Sequence, residues 1–321
     1  HYSDAMKYFG RALKLGVRPL LGDYDSVAES YSGIAATYFA QKEYSQSLKF
    51  LMKAISVQYE VLGIDTDSAD IATTLFSIAN IHYCTANYQE ALEKYETSRA
   101  IRANVYGEDH HSVLDCYRGL AATYTAQGNC IQSLETYRVL LQKQRESIGD
   151  DHAQVAETYN SAAAVHYMLN NFNLSLENFE LALVIEKRCQ GKEHIAVGNT
   201  LYNIATIHYQ SSNHKKALEM HMLALPIKQK SLGKIHPSVA NSLHHIGNCH
   251  FSLSNNSDGM DYYRRALVVR EQVLPADHPD IALSFNAIAL IYDKQADYRQ
   301  AMDYFEKARA IVRKYGFKST S

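Results

Sequence analysis

The sequence has no tryptophan, and it has only five prolines and five cysteines among its 321 residues. So little proline favours helices over loop-rich structure, because proline interrupts helical hydrogen bonding. The cysteines are odd in number and form no CxxC motif. This usage is typical of free thiols in a reducing compartment, so a cytoplasmic location is expected.

An excess of charge of one sign is also lacking. Lys and Arg number 32 against 34 Asp and Glu, for a formal net charge of −2. A general nucleic-acid binder carries a basic excess, so nucleic acid is not an expected partner. No apolar run approaches the roughly 18 residues of a membrane span, so no membrane insertion is expected. The chain is 46% hydrophobic, which is too apolar for a disordered protein.

The chain contains an internal repeat. A histidine returns in steps of 42 residues at His110, His152, His194, His236 and His278. Extended in both directions, this register predicts seven units over residues 23–66, 67–108, 109–150, 151–192, 193–234, 235–276 and 277–321. Residues 1–22 match the second half of a unit. They are predicted to be the second helix of a truncated leading repeat, so further domains are expected to flank the chain.

Each unit has the pattern of two helices. In the last unit, apolar residues recur at three- and four-residue intervals from about Asp280 to Lys294 and again from about Tyr298 to Arg313. Glycine tends to follow the second helix of a unit, as expected of a helix C-cap. No stretch alternates as a strand does. The pattern therefore predicts an all-α protein of helix-turn-helix pairs.

A small residue occupies one position of the first helix in every unit: Ala35, Ala79, Ala121, Ala163, Ala205, Gly247 and Ala289. Around it the chain reads Leu201-x2-Ile204-Ala205-x2-His208, and second helices read Ala301-x3-Phe305. This resembles the tetratricopeptide repeat (TPR) family. The 42-residue period with Asp277-His278-Pro279 at a junction is similar to the kinesin-light-chain type. The resemblance implies an α-solenoid of about seven TPR-like repeats, curled into a right-handed superhelix.

No constellation for catalysis or metal binding is apparent. The 42-spaced histidines are expected to lie one repeat apart, too far for a shared ion, and to hydrogen-bond carbonyls at a helix C-terminus. His245 and Cys249 share a helix face but have no nucleophile motif around them. Phosphate-binding glycine motifs are missing. We therefore expect no metal, no cofactor and no enzymatic activity.

The resemblance places the first helices on a concave face and implies which of their residues point into the groove. Most of these are Asn, Tyr or His, and Asn can bond both the N–H and the C=O of an extended peptide. The predicted peptide-binding residues are Asn160, Tyr167, Asn199, Tyr202, Asn203, Tyr209, Asn241, His244, His245, Asn248 and Asn286. Because Arg118 and Lys294 are the only inward cations of the first helices, a clamp for C-terminal carboxylates is not expected there.

Two functions remain open. The first is a non-enzymatic scaffold or adaptor that holds an extended peptide or a partner helix in the groove. The alternative is a sensory or autoinhibitory TPR region of a larger signalling protein. Apolar residues of the final helix (Ala308, Ile311 and Val312) also predict self-association through the ends of the array.

Overall fold

The computed structural model describes residues 24–63 and 66–318, so the predicted leading helix of residues 1–22 lies outside it. Within those ranges the chain forms fourteen α-helices and no β-strand. None of these helices is both long and apolar enough to cross a bilayer. In chain order the helices are α1 (Tyr24–Ala40), α2 (Tyr44–Leu62), α3 (Ala69–Cys84), α4 (Tyr88–Tyr106), α5 (His111–Gln127), α6 (Cys130–Ile148), α7 (Ala153–Met168), α8 (Phe172–Cys189), α9 (Ile195–Gln210), α10 (His214–Leu232), α11 (Pro237–Ser252), α12 (Asn256–Val273), α13 (Pro279–Lys294) and α14 (Tyr298–Lys318).

The chain divides into two compact units, residues 1–150 and 151–321. The described part of unit 1 holds the helix pairs α1/α2, α3/α4 and α5/α6, and unit 2 holds α7/α8, α9/α10, α11/α12 and α13/α14. Inside each unit, the second helix of a pair packs against its partner and against the first helix of the next pair. This is an all-α solenoid, in which stability is spread over nearest-neighbour contacts. We propose that each pair is one repeat with the boundaries predicted from the sequence.

The small-residue position lets the two helices of a pair approach closely. Ala35 and Ala163 are fully buried, and the hydroxyls of Ser47 and Ser175 donate 2.7 Å hydrogen bonds to their carbonyl oxygens. A side-chain hydroxyl reaches a backbone carbonyl of another helix only when the two helices nearly touch. A larger side chain at either position would separate them, so the repeated alanine has a direct packing role.

The turn inside each pair has a constant backbone conformation. The turn that follows each first helix contains a residue with positive φ, at Lys42, Ala86, Gly128, Asn170, Ser212, Ser254 and Ala296. In the pair α7/α8, the N–H of Asn171 then bonds the carbonyl of His166 at 2.9 Å, which is the six-to-one bond of a Schellman motif. For a non-glycine residue the left-handed conformation costs roughly 1–2 kcal/mol, which this bond helps to offset.

The 42-spaced histidines cap helix N-termini, so the predicted bonds to C-terminal carbonyls are wrong. Nδ1 of His152 accepts the backbone N–H of Gln154 at 3.2 Å, and Nδ1 of His236 accepts that of Ser238 at 3.1 Å. The first N–H groups of a helix have no intrahelical partner, and a side-chain acceptor satisfies one of them. Ser68 fills the same role before α3. The histidine therefore recurs every 42 residues because each one caps the start of a first helix.

Candidate functional site

The eleven predicted groove residues all lie on the first helices of unit 2. They are Asn160 and Tyr167 on α7, Asn199, Tyr202, Asn203 and Tyr209 on α9, Asn241, His244, His245 and Asn248 on α11, and Asn286 on α13. Asn199 is exposed, His244 is buried, and the other nine are half-buried. A half-buried side chain is held in place by its neighbours yet keeps one face open to a ligand.

Two of the predicted asparagines accept a hydrogen bond from the second helix of their own pair. Oδ1 of Asn248 accepts a 2.7 Å hydrogen bond from the hydroxyl of Tyr263, and Oδ1 of Asn241 accepts a 3.0 Å bond from Nη2 of Arg270. Both amide oxygens are therefore engaged inside the protein. What these side chains offer a ligand is mainly their N–H groups.

Asn160 belongs to a buried polar network across three helices. Its Nδ2 donates to Oε1 of Glu186 on α8 at 2.8 Å, and the hydroxyl of Thr200 on α9 donates to the same oxygen at 3.0 Å. Burial raises the pKa of Glu186, and the hydrogen bonds from Thr200 and Asn160 oppose that shift. Asn160 therefore helps to join two neighbouring repeats.

A cleft of about 130 Å³ opens between α7, α8 and α9. Its apolar walls come from Tyr167, Phe179 and Ile207, and no hydrogen bond joins the Asn203 side chain to any other described residue. Asn203 is thus the predicted residue with the freest amide at an apolar opening. The cleft is lined by Ala164, Tyr167, Phe179, Asn203, Thr206 and Ile207.

Aromatic rings of α9, α10 and α11 meet beside this cleft. The ring centroid of Tyr202 lies 5.1 Å from that of His221 and 5.3 Å from that of His245. His221 and His245 stack at 5.5 Å, and His244 lies 5.2 Å from Tyr263. Three of the predicted groove residues are therefore packed into one aromatic cluster, together with His221, which the sequence analysis did not single out.

Burial keeps these histidines neutral near neutral pH. It lowers the pKa of His221 and His244 to about 3 and that of His245 to about 4, with nearby cations adding to the effect. Burial also raises the pKa of the Cys249 thiol to about 12, so no reactive thiolate accompanies His245. Within the described residues, no three His, Cys, Asp or Glu side chains are grouped as metal ligands.

Sequence reasoning missed a row of polar residues on the second helices. Six of them occupy the same position in successive pairs, and none is more than 9% exposed. The sequence contained a signal for this row, because a polar residue recurs once per repeat on the side of the second helix that otherwise packs inside the protein. The six residues, which we call the polar row, are Gln58, Arg102, Gln144, Glu186, Lys228 and Arg270.

Members of the polar row fasten one pair to the next. In unit 1, Nη1 of Arg102 donates to the carbonyl of Ser112 at 2.7 Å. In unit 2, Nη1 of Arg270 donates to the hydroxyl of Ser284 at 2.7 Å, and Glu186 is bonded to the following pair through Thr200 in the same way. Charged groups can be buried here because hydrogen bonds compensate for the lost water.

Lys228 is the exception among the charged members of the polar row. Its side chain is only 3% exposed, and Nζ lies 4.0 Å from the ring centroid of Tyr202. In the described part of the chain this ammonium has neither a hydrogen bond nor an ion pair. Burial lowers the pKa of Lys228 to about 8.

The two inward cations predicted on first helices are already engaged. Nη1 of Arg118 donates to Asp115 at 2.8 Å, and Nζ of Lys294 donates to the carbonyl of Phe251 and to the hydroxyl of Ser254, both at 3.4 Å. Arg118 belongs to unit 1 and Lys294 to unit 2. Neither cation is therefore a free site for an anionic group.

Unit 1 contains a related cleft of about 170 Å³ between α1, α2 and α3. Phe39, Leu51 and Ile81 contribute apolar surface, and Asn80 lies beside them. Unlike Asn203 in the unit 2 cleft, Asn80 has an occupied side-chain oxygen, because it accepts a 2.5 Å bond from the hydroxyl of Tyr95. The cleft provides an internal comparison for the one in unit 2.

The fold and these clefts define a class of protein, the α-solenoids built from antiparallel helix pairs. Models of the tetratricopeptide repeat match residues 27–70, 70–146, 122–185, 154–230 and 238–314. The matches span most of the chain. The protein belongs to the tetratricopeptide repeat family, as the sequence resemblance predicted.

Solved structures of low sequence identity share this fold. The TPR-like repeats of a kinesin light chain from Podosopora anserina have 19% identity and a TM-score of 0.56, covering 64% of this chain and 98% of that one. The apo quorum sensor NprR from B. thuringiensis has 12% identity and a TM-score of 0.70, covering 97% and 82%. The Rap conjugation gene regulator of plasmid pLS20, solved with the Phr* peptide, has 15% identity and a TM-score of 0.54, covering 93% and 78%. The comparison with curated proteins found no match.

Proposed function

We propose that this protein is a non-enzymatic scaffold that binds an extended peptide along the first helices of unit 2. The observation that carries this proposal is the cleft between α7, α8 and α9, where the free amide of Asn203 lies at an opening with apolar walls. The apolar walls would take a side chain of the peptide, and the amide would bond its backbone. The other predicted groove residues extend the contact along the same helices.

The size of the cleft supports a peptide over a small molecule. Pockets for drug-sized ligands measure roughly 300–1,000 Å³, and this one measures about 130 Å³. It therefore suits one side chain of a longer ligand. A peptide that places one residue here gains apolar burial from Tyr167 and Phe179 and a hydrogen bond from Asn203.

The relatives in structure agree with this class of function but show the fold alone. One of them is a regulator in complex with a peptide, and another is a quorum sensor. At 12–15% identity, which face a ligand occupies does not carry over. The position of the peptide in this chain is proposed from the geometry of its own cleft.

Filling the cleft tests the proposal. Ala164 lines the cleft but is exposed, so Ala164→Phe should block the opening without disturbing the core. The probe is a peptide selected on the wild-type protein from a random dodecapeptide display library, with affinity measured by calorimetry. We expect Ala164→Phe to abolish its binding.

A matched control exists in unit 1. Ala36 is also exposed and lines the unit 1 cleft, so Ala36→Phe adds the same side chain to the other opening. Ala36→Phe should leave the affinity unchanged. If Ala36→Phe abolishes binding and Ala164→Phe does not, the peptide site lies in unit 1. Failure to select any peptide would refute the proposal.

The alternative function, a regulatory region of a larger protein, is favoured by the likeness of almost the whole chain to the quorum sensor NprR. It predicts that the array contacts other domains of its own full-length protein. Hydrogen exchange of the array, alone and within the full-length protein, would test this. If the unit 2 cleft is protected from exchange in the full-length protein, and a selected peptide removes that protection, the result would favour a regulatory region over a passive scaffold.

A further inference from the structure

Four residues form a second feature beside the proposed peptide cleft, and we call them the basic cluster: Tyr202 on α9, His221 and Lys228 on α10, and His245 on α11. Lys228 lies over the ring of Tyr202. The ring centroids of Tyr202, His221 and His245 lie within 5.5 Å of one another, and the two histidine rings are stacked. Tyr202 and His245 are predicted groove residues and are half-buried. The cluster therefore borders the surface where the peptide is proposed to bind.

Polar groups of the basic cluster lack partners. Both ring nitrogens of His221, which is completely buried, have no hydrogen bond, and the Lys228 ammonium has none within the described residues. In the equivalent position to His221, other repeats have Tyr137, Phe179 and Tyr263. Buried polar groups are normally paired, and an orphaned one lowers stability. An apolar ring in place of His221 would avoid this loss.

The charge around the basic cluster is positive. Among the described residues, no carboxylate lies opposite Lys228, and Arg270 on α12 lies close enough to influence Tyr202, His244 and His245. Of the acids in the described part of the chain, Asp280 at the start of α13 acts on Arg270, and the Nε of Arg270 has no hydrogen-bond partner there. Glu186, the acid of the neighbouring repeat, is occupied by Asn160 and Thr200. The uncompensated positive charge of the basic cluster therefore favours binding of an anion.

We propose that the basic cluster binds a carboxylate of the peptide, with the Lys228 ammonium as its counter-ion and the Tyr202 hydroxyl and His245 ring as additional donors. This proposal rests on the proposed function and adds the class of ligand to it. It differs from a clamp on first-helix cations, because its lysine comes from a second helix. A carboxylate would supply the charge that Lys228 lacks and would form charge-assisted hydrogen bonds. An acidic side chain and a free C-terminus share this chemistry.

Acetate is the first probe, because it is the smallest carboxylate. The ring signals of His221 and His245 are followed by NMR during an acetate titration at constant ionic strength with chloride, and are assigned through His221→Phe and His245→Gln. We expect a saturable shift in both rings. Lys228→Met keeps the aliphatic stem but removes the charge, and should weaken acetate binding roughly tenfold or more. Lys215→Met changes an exposed lysine of the same helix and should have no effect.

Peptides separate the two sources of the carboxylate. An array of random dodecapeptides is prepared with free C-termini, with amidated C-termini, and with every Asp and Glu replaced by Asn and Gln. Loss of binding on amidation assigns the cluster to the C-terminus, and loss on the amide replacements assigns it to a side chain. In Lys228→Met, neither amidation nor the amide replacements should change peptide binding.

Failure of this inference can be told apart from failure of the proposed function. If peptides bind equally well without any carboxylate and Lys228→Met binds them as wild type does, the basic cluster is not a carboxylate site and the scaffold proposal stands. If acetate gives no saturable shift, or the same shift in Lys228→Met, the inference is overturned whatever the peptides do. If no peptide binds but the acetate response depends on Lys228, the cluster binds carboxylates and the peptide proposal falls.

Discussion

The hydroxyl of Tyr263 donates a 2.7 Å hydrogen bond to Oδ1 of Asn248, joining the two helices of one repeat. The same bond joins Tyr95 to Asn80 at the equivalent positions of unit 1. A predicted ligand-binding asparagine is thus also a partner for a buried tyrosine. Asn203 has no such bond to any described residue, and this difference separates asparagines that join two helices from an asparagine whose amide is free.

Asn248→Ala and Asn203→Ala should therefore differ. Asn248→Ala leaves the buried Tyr263 hydroxyl without its acceptor and should lower the free energy of unfolding by about 1–3 kcal/mol. Asn203→Ala should change stability by less than about 0.5 kcal/mol while weakening a selected peptide by about 1–3 kcal/mol. Urea unfolding and calorimetric titration measure the two effects. Adding Tyr263→Phe to Asn248→Ala should restore part of the stability, and equal destabilisation by both asparagine variants would contradict this division.

The capping histidines should be replaceable by serine. His152→Ala removes the acceptor for the N–H of Gln154 and should cost about 1 kcal/mol of stability. His152→Ser should stay within about 0.5 kcal/mol of wild type, because Ser68 caps α3 at the equivalent position. Thermal unfolding followed by circular dichroism compares the two variants. If both variants lose the same stability, the ring acts through packing and not through its cap.

Lys228→Met should stabilise the protein. A buried cation without a partner opposes folding, and an apolar chain of similar length removes that penalty, for a gain of roughly 1–3 kcal/mol near neutral pH. The folded-state pKa of about 8 lies below the ordinary value of 10.5, so between these values the unfolded state binds more protons. The penalty is complete below about pH 8 and fades as the pH rises towards 10.5.

The measurement is urea unfolding of wild type and Lys228→Met across that range. The groups that face the ammonium are Tyr202 on α9, His221 on the same helix and His245 on α11. Taking the difference between the two proteins cancels the ionisation of other tyrosines and lysines. A difference that stays constant from pH 7 to 10.5 would show that Lys228 keeps an ordinary pKa.

His221→Phe should remove an acid-sensitive contribution to stability. The folded-state pKa of His221, about 3, lies below the ordinary 6.5, because burial, His245 and Lys228 all oppose its charge. The unfolded state therefore takes up a proton below pH 6.5 that the folded state refuses, which amounts to about 2 kcal/mol at pH 5. Wild type should lose that much more stability than His221→Phe between pH 7.5 and pH 5. Parallel pH profiles in urea unfolding would rule this out.

The exposed face of α14 should support self-association at high concentration. Tyr298, Met302 and Val312 are each more than half exposed and recur along one side of the helix. Ala308, which the sequence assigned to this stripe, is buried and does not contribute. Val312→Lys should reduce association, measured by sedimentation, without loss of helicity. A monomer at near-millimolar concentration would exclude this surface as an interface.

The sequence by itself determined the all-α class and the family, because the features that define them repeat locally. Helical periodicity and a small residue at one position, as at Ala163, depend on neighbours three or four residues away or on the next helix along. The same periodicity placed Asn203 and Tyr167 on first helices. It also marked the junction histidines as structural, although it assigned them to the wrong helix end.

Only the tertiary structure decided which polar groups are satisfied. Asn248 is bonded and Asn203 is free, although the sequence treats them alike, because the outcome depends on a tyrosine fifteen residues away in one case. Lys228 reads as an ordinary helix-surface lysine until Tyr202 and His245 are placed around it by two other helices. Burial and the absence of a counter-ion are properties of long-range neighbours, and a local pattern carries no information about them.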